Sequence, residues 1–207
     1  MVGIVDYGVG NLGSIRNMLR RIGTEAELVS TPDHIARATR FILPGVGSFD
    51  RAMTRLKESG LIPSLEEAVL RQGRPLLGIC LGMQLLTKSS EEGAERGLGW
   101  VNAVTRRFRL PDQHRETLRL PNMGWRHVDW GTGHKLTEDL PPDSRYYFAH
   151  TYYVQCESDE NVLGRCWYGR DFHAALVSGN VVGTQFHPEK SHRHGMRVLE
   201  QFLEYGT

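Results

Sequence analysis

Three short stretches carry side chains able to do nucleophilic chemistry. Gly78-Ile79-Cys80-Leu81-Gly82 follows an apolar run and precedes the helix-compatible Met83-Gln84-Leu85-Leu86. A nucleophile between small residues at a strand-to-helix junction is the nucleophile-elbow pattern, here with Cys in place of Ser. The glycines permit a sharp turn that exposes the side chain, a helix N-terminus favours a thiolate, and the amide of Leu81 can meet a developing oxyanion. The same pentapeptide also describes a buried structural cysteine beside packing glycines. A thiol nucleophile needs a base, and the apolar Val181-Val182-Gly183-Thr184-Gln185-Phe186 delivers His187-Pro188-Glu189 at its end. Pro188 stiffens that turn, and Glu189 is near enough to orient the imidazole and stabilise its cation. With nine histidines in the chain, one beside a carboxylate is by itself more often structural. Pro44-Gly45-Val46-Gly47, after Phe41-Ile42-Leu43, is either a plain strand-ending turn or a loop flexible enough to turn a backbone N–H toward the same oxyanion.

Positioning such groups requires strands that end where the motifs begin. Val2–Val5, Ala26–Val29, Phe41–Leu43 and Pro75–Ile79 read as buried strands, each followed by a Gly- or Pro-bearing turn. Between them, Ser14–Ile22 puts Ile15, Met18, Leu19 and Ile22 on one helical face, and Phe49–Gln72 carries two amphipathic segments interrupted at Gly60 and Pro63. Alternating strand and helix predicts an α/β fold with a parallel sheet. The second half changes character. Trp100–Phe108, Met123–Trp130, Arg145–Phe148, Tyr152–Cys156, Arg165–Tyr168, Ala174–Val177 and Val181–Phe186 read as strands without intervening helices, so that half is expected to be antiparallel or mixed. Leu110–Leu120 is polar and basic and reads as an exposed loop, and a last helix from about His192 to Tyr205 presents Met196, Leu199, Phe202 and Leu203 to the body.

The 207 residues fit one domain with a full core, and 40% apolar with 24% charged residues excludes wholesale disorder. A formal net charge of +1 gives no overall field to hold nucleic acid or an anionic membrane. The start lacks a basic region, Asp6 breaks its apolar run, and no stretch of about 20 apolar residues follows, so the chain reads as soluble and cytoplasmic. Its three cysteines, Cys80, Cys156 and Cys166, form no C-x-x-C pair and suit a reducing compartment.

Together, Gly-Ile-Cys80-Leu-Gly-Met-Gln84, Phe-His187-Pro-Glu189 and Pro44-Gly-Val-Gly47 resemble the class I (triad) glutamine amidotransferases. Within that family, Asp6–Leu12, Met123-Gly124-Trp125, Ala149-His150-Thr151-Tyr152 and Phe186–Ser191 are similar to the glutaminase subunits of imidazole glycerol phosphate synthases. The resemblance runs from residue 2 to the last helix. It implies a flavodoxin-like fold, a mixed central sheet with flanking helices and an antiparallel second half, forming a single glutaminase domain over residues 1–207. It implies that Cys80 attacks the side-chain amide of L-glutamine, that His187 handles its proton and that Glu189 holds His187. Val46 and Leu81 match the oxyanion-hole positions, and Gly47, Gln84, Glu92, Thr151 and Tyr152 the glutamine-binding positions. A carboxylate at Glu92 suits a substrate α-ammonium, although Glu92 also reads as one more solvated acid. The implied partner is a (β/α)8-barrel subunit that receives ammonia and makes imidazole glycerol phosphate and AICAR in histidine biosynthesis, with Asn11, Trp125, Tyr147 and Lys190 facing it. No cofactor and no metal is implied.

Other readings are weaker. Gly8-Val9-Gly10-Asn11-Leu12-Gly13 satisfies the dinucleotide pattern G-x-G-x-x-G, but the resemblance accounts for it as a turn near the partner. His187, His192 and His194 suggest a metal only superficially, because the last two flank Arg193 at a helix start. Asn122 and Arg126 depart from the Pro-His-Met-Gly-Trp-Asn run of the histidine-pathway subunits. That leaves open a paralogue feeding a surface-saccharide amidotransferase, with Arg126 at the partner surface beside Trp125, Tyr147 and Lys190. A cysteine peptidase or other thiol hydrolase on the same fold is a further alternative.

Overall fold

Apolar runs become parallel strands because both faces of the sheet are covered. The computed structural model describes residues 1–114 and 116–206. Its first half runs β1 (Val2–Val5), α1 (Leu12–Arg21), β2 (Ala26–Val29), α2 (Pro32–Arg37), β3 (Arg40–Gly45), α3 (Phe49–Glu58), α4 (Ile62–Glu66, continued by a π-turn at Glu67–Arg71), β4 (Leu76–Cys80) and α5 (Leu81–Leu85). The second half contributes β5 (Ala103–Arg107), β6 (Asn122–His127), β7 (Asp129–Trp130), β8 (Arg145–His150), β9 (Tyr152–Cys156), β10 (Val162–Trp167), β11 (Asp171–Ser178), β12 (Val181–Thr184) and α6 (His192–Glu204).

The strands form a sheet in the order β2-β1-β3-β4-β12-β11-β10-β7, with β9 branching from β11 and carrying β5. The segment from β2 to β12 is parallel and the rest antiparallel. Successive residues of β3 enter opposite cores: Phe41 and Leu43 meet α2, α3 and α4, while Ile42 meets α1 and α6. The β6–β8 ladder stands apart, registered Asn122↔His150 and Trp125↔Tyr147. It closes a third, aromatic core of Phe108, Tyr146, Phe148, Phe172 and Phe186. Among the described residues no helix is long and apolar enough to cross a membrane.

Three differences from the sequence reading have physical causes. Helix α2 has six residues and one buried side chain, Ile35, so it leaves no apolar periodicity; the Thr31 hydroxyl, accepting from the His34 N–H at 3.3 Å, and Pro32 in its first turn define it instead. The expected strand Met123–Trp130 is divided at Val128, which is buried in the aromatic core. The stretch Leu110–Leu120 is not wholly exposed: Leu110, Leu118 and Leu120 pack on that core, and the Tyr168 hydroxyl bonds both the N–H and the carbonyl of Arg119. Arg115 within it lies outside the described residues.

Candidate active site

The three chemical motifs leave the carboxyl ends of β3, β4 and β12, which are neighbours in the sheet. In an open parallel sheet that edge is where clefts form. Gly45 is registered on Cys80, and Thr184 on Ile79. Cys80 adopts φ 54° and ψ −108°, the strained conformation of a nucleophile elbow. Its neighbours explain how the turn is held. A Cβ on Gly45 would lie 2.6 Å from the Gly82 nitrogen and one on Gly78 would lie 2.8 Å from the Met83 nitrogen, so the first turn of α5 rests directly on the backbone of β3 and β4. The Gly8–Gly13 turn serves the same region: the Tyr7 hydroxyl donates to the Pro44 carbonyl at 2.7 Å, and Gly10 abuts Pro44.

His187 and Glu189 are 4% and 2% exposed, with Nδ1 and Oε1 2.8 Å apart. A carboxylate only accepts, so Nδ1 carries a hydrogen and Nε2 remains for the sulfur. Burial pushes the imidazole pKa down, but the Cys80 sulfur and the Glu189 carboxylate outweigh it and raise the value to about 10. The protonated ring is therefore favoured at neutral pH. The His187 backbone is clamped to β8: its N–H donates to the Tyr147 carbonyl at 2.9 Å, and the Ser191 hydroxyl donates to the His187 carbonyl at 2.6 Å while accepting from the Tyr147 N–H at 2.9 Å. Gly195 lets α6 approach this turn, since a Cβ there would collide with the Pro188 carbonyl.

A cleft of about 330 Å³ opens on Cys80 and His187 and is lined also by Val46, Gly47, Leu81, Gln84, Glu92, Thr151, Tyr152 and Lys190, with Pro121, Ala149 and His150 completing it. Glu189 sits behind His187. Glu92 has two contacts of interest. It faces the cleft, and its Oε2 accepts the Phe49 N–H at 2.9 Å, capping α3 where the Ser48 side chain makes no capping bond. Burial raises the Glu92 pKa against the lowering effect of that N–H. Gln84 spends both hydrogens of Nε2 inside the protein, on the Tyr152 carbonyl and on Gln185 Oε1, each at 3.2 Å, which leaves Oε1 for a ligand.

Beside the cleft, Trp125 stands edge-on to Tyr147 with ring centroids 6.1 Å apart and stacks on His192 at 5.3 Å, while the Lys190 ammonium lies 5.7 Å from the Tyr147 ring centre. Asn11 is outside the cleft and caps α1 by accepting the Ser14 N–H at 3.4 Å. Arg126 does not join the Trp125, Tyr147 and Lys190 group expected from the sequence. Side chains alternate along β6, and its guanidinium instead covers the Tyr168 ring at 4.9 Å and donates to the Trp125 carbonyl at 3.0 Å.

Two buried residues at the site had no assigned role in the sequence reading. Gln185 Nε2 donates to Cys80 Sγ at 3.8 Å. His150, on the cleft wall, donates from Nδ1 to the Tyr152 carbonyl at 2.7 Å; burial, against that carbonyl and with His187 repelling, lowers its pKa to about 4. The available signal for Gln185 was a polar side chain in an otherwise apolar run. Among the described residues no group of three or more His, Cys, Asp or Glu side chains is arranged to hold a metal ion.

An elbow cysteine and a buried His–Glu pair meet at one edge of the parallel sheet, and residues 3–205 match the family "Glutamine amidotransferase class-I". The chain belongs to that family. It is 49% identical over 204 residues, 99% of each chain, to "Imidazole glycerol phosphate synthase subunit HisH 2" of Methanococcus maripaludis. It is 43% identical to the protein of the same name from Pseudomonas aeruginosa, again over 99% of each chain. Among solved structures, "Structure of PurLQS from Thermotoga maritima" shares the fold with a TM-score of 0.77 at 18% identity, covering 100% of this chain and 98% of that one. "Crystal structure of glutamine amidotransferase" does so with a TM-score of 0.75 at 22% identity, covering 98% of this chain and 97% of that one.

Proposed function

We propose that residues 1–207 act as one glutaminase domain that hydrolyses L-glutamine to glutamate and ammonia through Cys80, His187 and Glu189. The observation that carries this reading is the buried His187–Glu189 pair, with its imidazole pKa raised by Cys80 at the floor of a cleft. The Cys80 thiolate attacks the side-chain carbonyl carbon of glutamine, and the backbone N–H groups of Leu81 and Val46 receive the oxyanion. The imidazolium of His187 protonates the departing nitrogen, which leaves as ammonia and a glutamyl thioester. Water, deprotonated by the now neutral ring, hydrolyses the thioester and restores the thiolate. Glu189 holds the ring and offsets its charge. Gly47, Gln84, Thr151 and Tyr152 bind the glutamine, and Glu92 pairs with its α-ammonium.

Relatives named as imidazole glycerol phosphate synthase subunits support a place in histidine biosynthesis; a heterodimer in the cytoplasm is the setting proposed with it. Ammonia passes to a (β/α)8-barrel partner seated against Trp125, Tyr147 and Lys190. A second reading, a paralogue that feeds a saccharide amidotransferase, is favoured only by Asn122 and Arg126. In the reconstituted complex, Cys80→Ala should abolish glutamine-dependent turnover and leave ammonia-dependent synthesis by the barrel intact. Persistent glutamine turnover in that variant would refute the proposal.

A further inference from the structure

Gln185 follows β12 with its backbone N–H on the Ala174 carbonyl at 2.8 Å, and its side chain is fully buried. The orientation of that side-chain amide follows from one carbonyl group. The Tyr152 carbonyl can only accept, so the Gln84 group 3.2 Å from it is the NH2. The same NH2 lies 3.2 Å from the Gln185 side chain, which must therefore present its oxygen there. The Gln185 NH2 is left on the opposite side, 3.8 Å from Cys80 Sγ, a distance suited to the larger sulfur atom. The carbonyl is itself anchored: His150 Nδ1–H donates to it at 2.7 Å, and His150 Nε2 accepts from the Asn122 amide at 3.0 Å. A continuous chain of hydrogen bonds thus runs from the β6–β8 ladder to the nucleophile.

We propose that Gln185 is a positioning residue for Cys80, its amide N–H holding the sulfur in line with the cleft and stabilising the thiolate. The substrate never touches it. This rests on the glutaminase reading only for the role of Cys80, and the alkylation measurement that decides it is made without glutamine.

The rate at which iodoacetamide alkylates Cys80 at pH 7 is measured in the full-length chain with its partner. Gln185→Met, similar in length but without a donor, should slow alkylation about tenfold, and Gln185→Glu, which sets an acceptor against the sulfur, should slow it further. Turnover with glutamine should then lose kcat by a similar factor with KM within about twofold. Alkylation within twofold of the unmutated rate in either folded variant would overturn the proposal. A measurement free of substitution covers the case in which the variants fail to fold. The Gln185 side-chain NH2 resonance of the ¹⁵N-labelled protein should move with pH along the same profile as the alkylation rate, and a resonance that ignores that profile would equally overturn it. Glutamine turnover surviving Cys80→Ala would instead defeat the glutaminase reading and leave the alkylation result standing.

Discussion

His150 makes the stability of this protein depend on pH in a way that can be worked from its surroundings. In the fold the ring is buried against the Tyr152 carbonyl and Asn122, and its pKa falls from the ordinary 6.5 to about 4. The unfolded chain binds a proton near pH 6.5 and the folded chain does not until near pH 4, so between these values the unfolded state holds more protons. Stability is then complete above about pH 6.5 and drains away as pH falls toward 4. A separation of roughly 2.5 units favours the unfolded state about 150-fold by pH 4, or about 3 kcal/mol. His187 has the opposite sign, because its raised pKa contributes stability below its ordinary value that is lost as pH rises through about 10. The comparison is urea unfolding of the unmutated chain and of His150→Asn, which keeps a donor near the Nδ1 position and cannot titrate, at several values from pH 7.5 to 4. The unmutated chain should lose about 3 kcal/mol relative to the variant across that range. A difference between the two that stays constant within about 1 kcal/mol would show that the ring is not held neutral by burial, and the reasoning would fail.

Gly45→Ala should destabilise the fold by about 1–3 kcal/mol, because the added methyl meets the Gly82 nitrogen at 2.6 Å and the first turn of α5 must shift; denaturant midpoints check the stability, and glutamine turnover should fall with it. Arg126→Asn should leave glutamine hydrolysis by the isolated chain unchanged and lower its stability by about 0.5–1 kcal/mol, since the guanidinium sits on Tyr168 and away from the cleft. A change in turnover as large as that of a cleft residue would refute the placement of Arg126 away from the cleft.

Local chemistry was enough to read the parallel half of the fold, and the reactive motifs taken together carried the resemblance to the class I glutamine amidotransferases. Residues in β1, β3, β4 and β12 are buried on both faces and so appear as unbroken apolar runs, and the small residues around Cys80 mark an elbow because no larger side chain allows α5 to rest on β3 and β4. Helix α2 was illegible for the converse reason, a single buried residue. Sheet order was not written locally. Cys80 and Gln185 are 105 residues apart, and only the insertion of β12 beside β4 brings the elbow, the Pro44 loop and His187 to one edge. Burial decided the rest: it keeps His150 neutral, turns the Gln185 amide toward sulfur through the Tyr152 carbonyl, and leaves Glu189 behind His187 away from water. Residue types named the groups able to react, because a thiol, an imidazole and a carboxylate have intrinsic chemistry. Their protonation and aim belong to the tertiary structure, because desolvation and hydrogen-bond partners are set by whatever the distant chain packs against them.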